Sequence, residues 1–173
     1  MENGKFESKS SMDKGTRIKT GFVFLLFASI AGLFFLISIK QPQLIVVAII
    51  LLLIYIVALI YGIYKTPILY KITNGDLLIL SRFSKISIKI QDIRSARIFD
   101  SEDKKGLVRT FGAEGVLGNI GNYSTIRHKK INVLTSRDTN WILISTYDGK
   151  KTVISPDNLD LVNVINDLIN KDK

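Results

Sequence analysis

Two uncharged apolar runs, Gly21–Ile39 and Leu44–Tyr64, lie almost back to back, separated only by Lys40-Gln41-Pro42-Gln43. At 1.5 Å of rise per residue they make helices of about 29 and 32 Å, close to the roughly 30 Å hydrocarbon thickness of a bilayer. The first run holds 13 Leu, Ile, Val or Phe residues and the second 15, with no Asp, Glu, Lys or Arg. At about −0.3 to −0.6 kcal/mol for each such residue, either run favours insertion by several kcal/mol. The first run is longer than a signal-peptide core, and Leu36-Ile37-Ser38-Ile39 lacks a small-x-small cleavage site. The sequence therefore predicts a two-helix transmembrane hairpin over residues 20–65, with spans at 21–39 and 44–64. The lipid bilayer is its first partner.

Flanking charge sets the expected orientation. Lys5, Lys9, Lys14, Arg17 and Lys19 precede the hairpin, Lys40 alone sits in its turn, and Lys65 and Lys71 follow. Basic flanks stay inside, so both termini are expected in the cytoplasm of a multi-pass cell-membrane protein. Pro42 suits the external turn. Tyr61, Tyr64 and Tyr70 are expected at the inner interface, and residues 1–19, polar with Gly and Ser, read as disordered. Ala28/Gly32 and Ala58/Gly62 repeat small residues at helical spacing, which favours close packing within the hairpin or, as a second reading, a homo-oligomer.

Residues 66–173 read as one cytoplasmic domain, long enough for a single core. The chain carries 24 Lys plus Arg against 15 Asp plus Glu, a net charge of +9. That modest excess suits an anionic inner leaflet, while no recognition helix or RNA-binding signature supports a nucleic-acid partner. Zero cysteines remove disulfides and thiolate chemistry. Ile68–Thr73 and Leu77–Ser81 flank Asn74-Gly75, the strongest short hairpin signal. Lys85–Gln91 alternates, with Ile86, Ile88 and Ile90 on one face and Lys85, Ser87 and Lys89 on the other, as a half-buried strand does. Ile93–Phe99, Lys130–Leu134 and Asn140–Thr146 are further strands, and Asp148-Gly149 turns the last into Lys151–Ser155. The period then becomes helical. Ser155 is the expected cap and Pro156 the first helical residue. Leu161, Val162, Ile165, Leu168 and Ile169 form the apolar stripe.

About seven short strands, one terminal helix and two preceding spans resemble the membrane-anchored bacterial pleckstrin-homology-like (PH-like) proteins. The resemblance covers roughly Thr66–Ile169. It rests on Gly112-Ala113-Glu114-Gly115-Val116-Leu117-Gly118-Asn119-Ile120-Gly121-Asn122-Tyr123, on Trp141-Ile142-Leu143-Ile144-Ser145, and on Asp148-Gly149-Lys150-Lys151-Thr152-Val153-Ile154-Ser155-Pro156-Asp157 with the helix after it. It implies a mainly-β PH-like barrel with one C-terminal α-helix, used for docking or regulation without catalysis. The first hairpin loop, Thr73-Asn74-Gly75-Asp76, is not basic, so the resemblance does not imply phosphoinositide recognition.

The residues point to no enzyme. His128, the single histidine, lies in Arg127-His128-Lys129-Lys130 and reads as an exposed loop residue. No metal-ligand spacing, nucleophile elbow or phosphate loop occurs, so neither cofactor nor metal is expected. Glycines 112, 115, 118 and 121 read as an irregular connection, with an anion-binding nest as the alternative. Asp100, Glu102 and Asp103 read as a solvated turn beside Lys104 and Lys105. Two basic patches are candidate contacts for an anionic surface: Arg82, Lys85, Lys89, Arg94 and Arg97, and separately Arg127, Lys129 and Lys130. The expected function is a non-enzymatic membrane protein that presents its domain to a membrane-associated protein. The alternatives are an anionic-lipid-surface module and an accessory or immunity-type subunit acting through its spans.

Overall fold

The computed structural model describes residues 6–114 and 117–171. Two long helices, α1 (Lys14–Ser38) and α2 (Leu44–Lys65), run side by side ahead of a mainly-β domain with a C-terminal helix. Their apolar surfaces are not a soluble core: the most apolar stretches are 6% and 0% buried within the protein. Both helices are long and apolar enough to cross a membrane. The contact between them is aromatic, with Tyr55 stacked on Phe27 at 4.7 Å and edge-on to Phe24 at 5.8 Å. The small-residue seam is not formed on α1. A Cβ added at Gly32 meets nothing within 4 Å.

The segment before α1 is ordered, contrary to the expectation of disorder over residues 1–19. Phe6–Lys9 forms strand β1, which pairs antiparallel with β2 (Pro67–Thr73) from Phe6↔Ile72 to Lys9↔Leu69. Residues 1–5 lie outside the described residues. The strand's polar composition is satisfied by distant partners rather than by water. Asp157 N–H donates to Lys9 O at 2.8 Å, Asn158 N–H to Ser8 Oγ at 3.0 Å, and the Ser10 and Ser136 hydroxyls share a 2.7 Å hydrogen bond. Asp13 then caps α1, accepting from Thr16 N–H at 2.7 Å. That cap starts the helix seven residues before the uncharged run.

The domain comprises two sheets. β1, β2, β3 (Asp76–Ser81) and β4 (Lys85–Lys89) form an antiparallel meander. The turn between β2 and β3 is the expected tight hairpin: Asn74 and Gly75 both have positive φ, 51° and 77°, as a type I′ turn requires. A 3-10 turn at Ile90–Asp92 leads to β5 (Ile93–Ile98) in the second sheet. After the short helix α3 (Ser101–Lys104) come β6 (Val108–Glu114), β7 (Asn119–Ser124), β8 (Ile131–Thr135), β9 (Ile142–Thr146) and β10 (Lys151–Ile154), in spatial order β5-β9-β10-β8-β7-β6. The two sheets share no ladder among the described residues. The PH-like architecture is present, but the expected barrel does not close.

The glycine-rich stretch is a hairpin rather than an irregular connection. Gly112 and Gly121 face each other across β6 and β7 with φ of 125° and 131°. A Cβ on Gly121 would lie 2.0 Å from Phe111 O, and one on Gly112 equally close to Ile120 O. The close approach of the two backbones explains both glycines. Gly115 lies outside the described residues.

The core sits between the sheets under α4 (Leu161–Lys171), whose Leu161, Ile165 and Ile169 are buried. The helix begins five residues later than predicted because Ser155 is otherwise engaged. Its hydroxyl accepts from Ser136 N–H at 3.0 Å and its N–H donates to the Tyr70 hydroxyl at 3.1 Å. Tyr70, expected at a membrane interface, is fully buried in this core. β9 is apolar on both faces because both are covered: Ile142 and Ile144 join the main core, while Trp141 and Leu143 join a second cluster with Phe99, Tyr123, Ile131 and Val153.

Candidate functional site

Three of the four sheet edges are blunted in the ways that prevent a further strand from adding. β1 is four residues long, and β4 begins and ends with the exposed lysines Lys85 and Lys89. β5 lies under α4, where Asn166 substitutes for a neighbouring strand: its amide donates to Ala96 O at 2.9 Å and accepts from Ala96 N–H at 3.2 Å. The fourth edge, β6, has a register shift between Arg109 and Phe111, but no helix or further strand covers it among the described residues. It runs for seven residues and exposes Val108 (59%) and Phe111 (69%). Arg109 between them is exposed, and basic Lys105 and Arg127 are also exposed in the neighbouring loops.

The basic residues singled out from the sequence do not form the two expected patches. Lys85 and Lys89 point the same way from β4, whereas Arg94 and Arg97 belong to β5 in the other sheet. Arg82 lies at the β3–β4 turn, where Phe83 stacks on Tyr64 at 6.3 Å and the Ser84 hydroxyl donates to Tyr64 O at 3.3 Å. Lys89 is the far end of β4, about 13 Å further from α2 at 3.3 Å per residue. Arg97 joins Arg127 instead, through Asp103. Both Asp103 oxygens accept from Arg97, one at 2.8 Å, and Arg127 Nη1 is 3.7 Å away. Lys129 and Lys130 remain exposed beyond this cluster.

Asp103 and His128 are thus buried and bonded, not solvated as the sequence suggested. Asp100 and Asp103 form a capping box at α3 that turns the Asp103 carboxylate inward. Its pKa is held well below the usual carboxylate range, first by the Arg97 hydrogen bond and further by His128 and the Asp100 N–H, against the effect of burial. His128 Nε2 lies 3.0 Å from Asp103 Oδ1, and Nδ1 lies 3.1 Å from Lys151 Nζ. An ammonium only donates, so Nδ1 accepts and Nε2–H donates to Asp103. These partners come from four separate segments, which hid the cluster from a reading along the chain. No group of three or more metal-ligating residues occurs among the described residues.

Sequence reasoning missed a cleft of about 590 Å³ between α1, α3, β6 and the segment after β8. Lys19, Lys104 and Arg109 line it with Asp138, Tyr123 and Trp141. Lys104 Nζ sits 4.3 Å from the Trp141 ring centre and donates to Asp138 O at 2.9 Å. Burial there lowers its pKa, with partial compensation from Asp138. The Asp138 carboxylate is already bonded by Lys19 at 2.5 Å and by the Asn119 amide at 2.7 Å. Arg109 has no hydrogen-bond or ion-pair partner among the described residues. Among the described residues, Lys19, Lys104 and Arg109 thus line the cleft together with the engaged Asp138 carboxylate.

The domain is fixed to the helix ends close to this cleft. Leu117 N–H donates to the Thr20 hydroxyl at 3.0 Å, the Thr66 hydroxyl reaches Leu117 O at 3.2 Å, and the Ser81 hydroxyl reaches Lys65 O at 2.9 Å. Asp138 N–H also donates to Asp13 at 3.2 Å. Thr20 directly precedes the uncharged run, so the cleft opens at the level where α1 becomes wholly apolar.

No curated protein and no solved structure matches the chain. A family model described as Bacterial PH domain matches residues 68–167, from β2 through most of α4 and more than half of the chain. The two-sheet core, its terminal helix and this match together place the chain in the bacterial PH domain family.

Proposed function

We propose that the hairpin spans the cell membrane with both termini in the cytoplasm, and that the domain docks a membrane-associated protein rather than catalysing a reaction. The observation that carries the reading is the contrast among the sheet edges. Three are short, charged at their ends or capped, while β6 is the longest and most apolar edge and has no outer strand among the described residues, with Val108 and Phe111 exposed on either side of Arg109. Such an edge takes an extended segment by strand addition, with main-chain hydrogen bonds supplying affinity and side-chain contacts selectivity. The basic residues Lys105, Arg109 and Arg127 favour a segment that alternates apolar and acidic residues. Confinement to the membrane raises the local concentration of a partner that shares it, so each contact can be weak.

The test is photocrosslinking from position 111 in intact membranes, with Tyr147, 61% exposed, as the control site. Docking at β6 predicts adducts to a membrane protein from position 111 and none from 147, with Val108→Lys removing them. Adducts from both sites alike, or none from 111, refute it. Adducts only to a second copy of the chain replace it with a homo-oligomer. A reporter fused after Lys173 that is active only outside the cytoplasm reverses the proposed topology.

A further inference from the structure

We infer that Leu117 is a conformational joint: through its two backbone hydrogen bonds, the ends of α1 and α2 set the position of the β6–β7 hairpin and with it the geometry of the β6 edge. Its regulatory meaning rests on docking at β6; the joint itself does not.

Leu117 adopts a backbone shape that its own side chain opposes. Three non-glycine residues among the described residues have positive φ, and two of them, Asn74 and Asn140, are asparagines, which tolerate it. Leu117, at 63°, is a bulky residue in a position where glycine would carry no steric cost. Such a conformation persists only where the surroundings hold it. Here the helix ends hold both of its backbone polar groups. The N–H donates to the Thr20 hydroxyl at 3.0 Å, and the carbonyl accepts from the Thr66 hydroxyl at 3.2 Å. α1 thus grips one side of the residue and α2 the other.

The grip on the α2 side has two settings. The Thr66 hydroxyl carries one proton and faces two acceptors, Leu117 O and Gly62 O, the latter at 2.7 Å. Gly62 O already accepts from the Thr66 N–H at 2.9 Å, so the last turn of α2 stays closed whichever way the hydroxyl points. Beyond Leu117 the chain has little room. Gly118 is pressed against the end of β8, where an added Cβ would lie 2.1 Å from Thr135 O, and Asn119 then opens β7. A displacement of the helix ends therefore enters β7, and the close Gly112–Gly121 crossing passes it to β6. A partner at β6 meets an edge whose shape depends on how α1 and α2 sit against one another.

The experiment uses the full chain in detergent micelles and reads amide hydrogen exchange along the domain. Thr20→Val with Thr66→Val removes both hydroxyls and keeps side-chain volume. It should speed exchange across β6 and β7 about five- to ten-fold, the factor that corresponds to one lost hydrogen bond, and leave the β9–β10 hairpin unchanged. Phe27→Ala with Tyr55→Ala unstacks the helix pair at mid-length. It should alter exchange in β6 and β7 in the wild-type background and lose that effect once both threonines are valine. Leu117→Gly takes the same φ without steric cost and keeps both bonds, so β6 and β7 should stay protected as in the wild type. Thr66→Val alone should show the effects of the double variant at smaller size, which keeps the test open if the double variant does not fold. Unstacking that acts equally with and without the threonines, unstacking that never reaches β6 and β7, or unchanged β6–β7 exchange in Thr66→Val overturns the joint. So does a Leu117→Gly change as large as that of the double valine variant. Exchange needs no partner, so its failure leaves docking at β6 standing, and an absence of crosslinks from position 111 leaves the joint standing.

Discussion

Replacing Tyr70 by Phe removes one oxygen from the point where the N-terminal segment meets the core. That hydroxyl donates to Leu134 O at 3.0 Å and accepts from Ser155 N–H at 3.1 Å and the Ser10 hydroxyl at 3.3 Å. The three losses are unequal. Ser155 is fully buried, and its N–H loses its acceptor outright. Leu134 O keeps a second lone pair for its strand neighbours. Ser10 retains the Ser136 hydroxyl at 2.7 Å and Ser155 O at 3.3 Å. A buried unsatisfied group costs roughly 1–3 kcal/mol, so the sum is about 2–3 kcal/mol, most of it from the single N–H. Ser10→Ala leaves the Tyr70 contacts with Ser155 and Leu134 intact and should cost under about 1 kcal/mol on the same scale. Urea unfolding of the solubilised chain, followed by Trp141 emission, measures both, with Tyr147→Phe as an exposed control. A Tyr70→Phe loss no larger than that of Ser10→Ala would refute the assignment of the cost to the Ser155 N–H.

Acid should act through Asp103. Its folded pKa is depressed, so its contribution is complete above the unfolded value near 4 and is lost as pH falls below that toward the folded value. The stability gap between the wild type and Asp103→Asn should therefore be about 1 kcal/mol smaller at pH 3 than at pH 5; a gap that does not narrow over that range contradicts the buried Asp103–Arg97 pair. Gly121→Ala should destabilise by more than about 3 kcal/mol, because a Cβ there meets backbone on β6 as well as an unfavourable φ. Gly75→Ala, with positive φ but open space, should cost only about 1 kcal/mol. Equal midpoint shifts for the two in urea would show that β6 and β7 are not in close contact.

What was legible in the sequence is what neighbours in the chain decide. Asn74-Gly75 specifies its hairpin from within, the spacing of Leu161, Ile165 and Ile169 marks the buried face of α4, and the two apolar runs need no partner to be recognised. β1 was invisible because Phe6–Lys9 becomes a strand only by pairing with residues 69–72, beyond the whole hairpin. Distance along the chain hid the site in the same way. His128 reads as solvated beside Arg127 and Lys129, yet its partners are Asp103 and Lys151. The cleft joins Lys19 to Arg109 and Trp141, which no local spacing connects. Glycines 112 and 121 carried a readable signal, since two glycines nine residues apart around a turn are what a backbone-to-backbone crossing demands. Gly115 and Gly118 between them mask that signal, because four evenly spaced glycines have no strand-like side-chain pattern.

The pairing of β1 with β2 has a mechanical consequence. The polypeptide goes out to α1 and returns from α2 along adjacent strands of one sheet, and hydroxyls of Ser81, Thr66 and Thr20 secure both helix ends. No slack linker separates the greasy part of the molecule from the watery part. A neighbour that tilts or twists the helix pair must turn the sheet with it, and a load on the sheet must in turn lever the helices. The protein is built as a rigid crank, not as a balloon on a string.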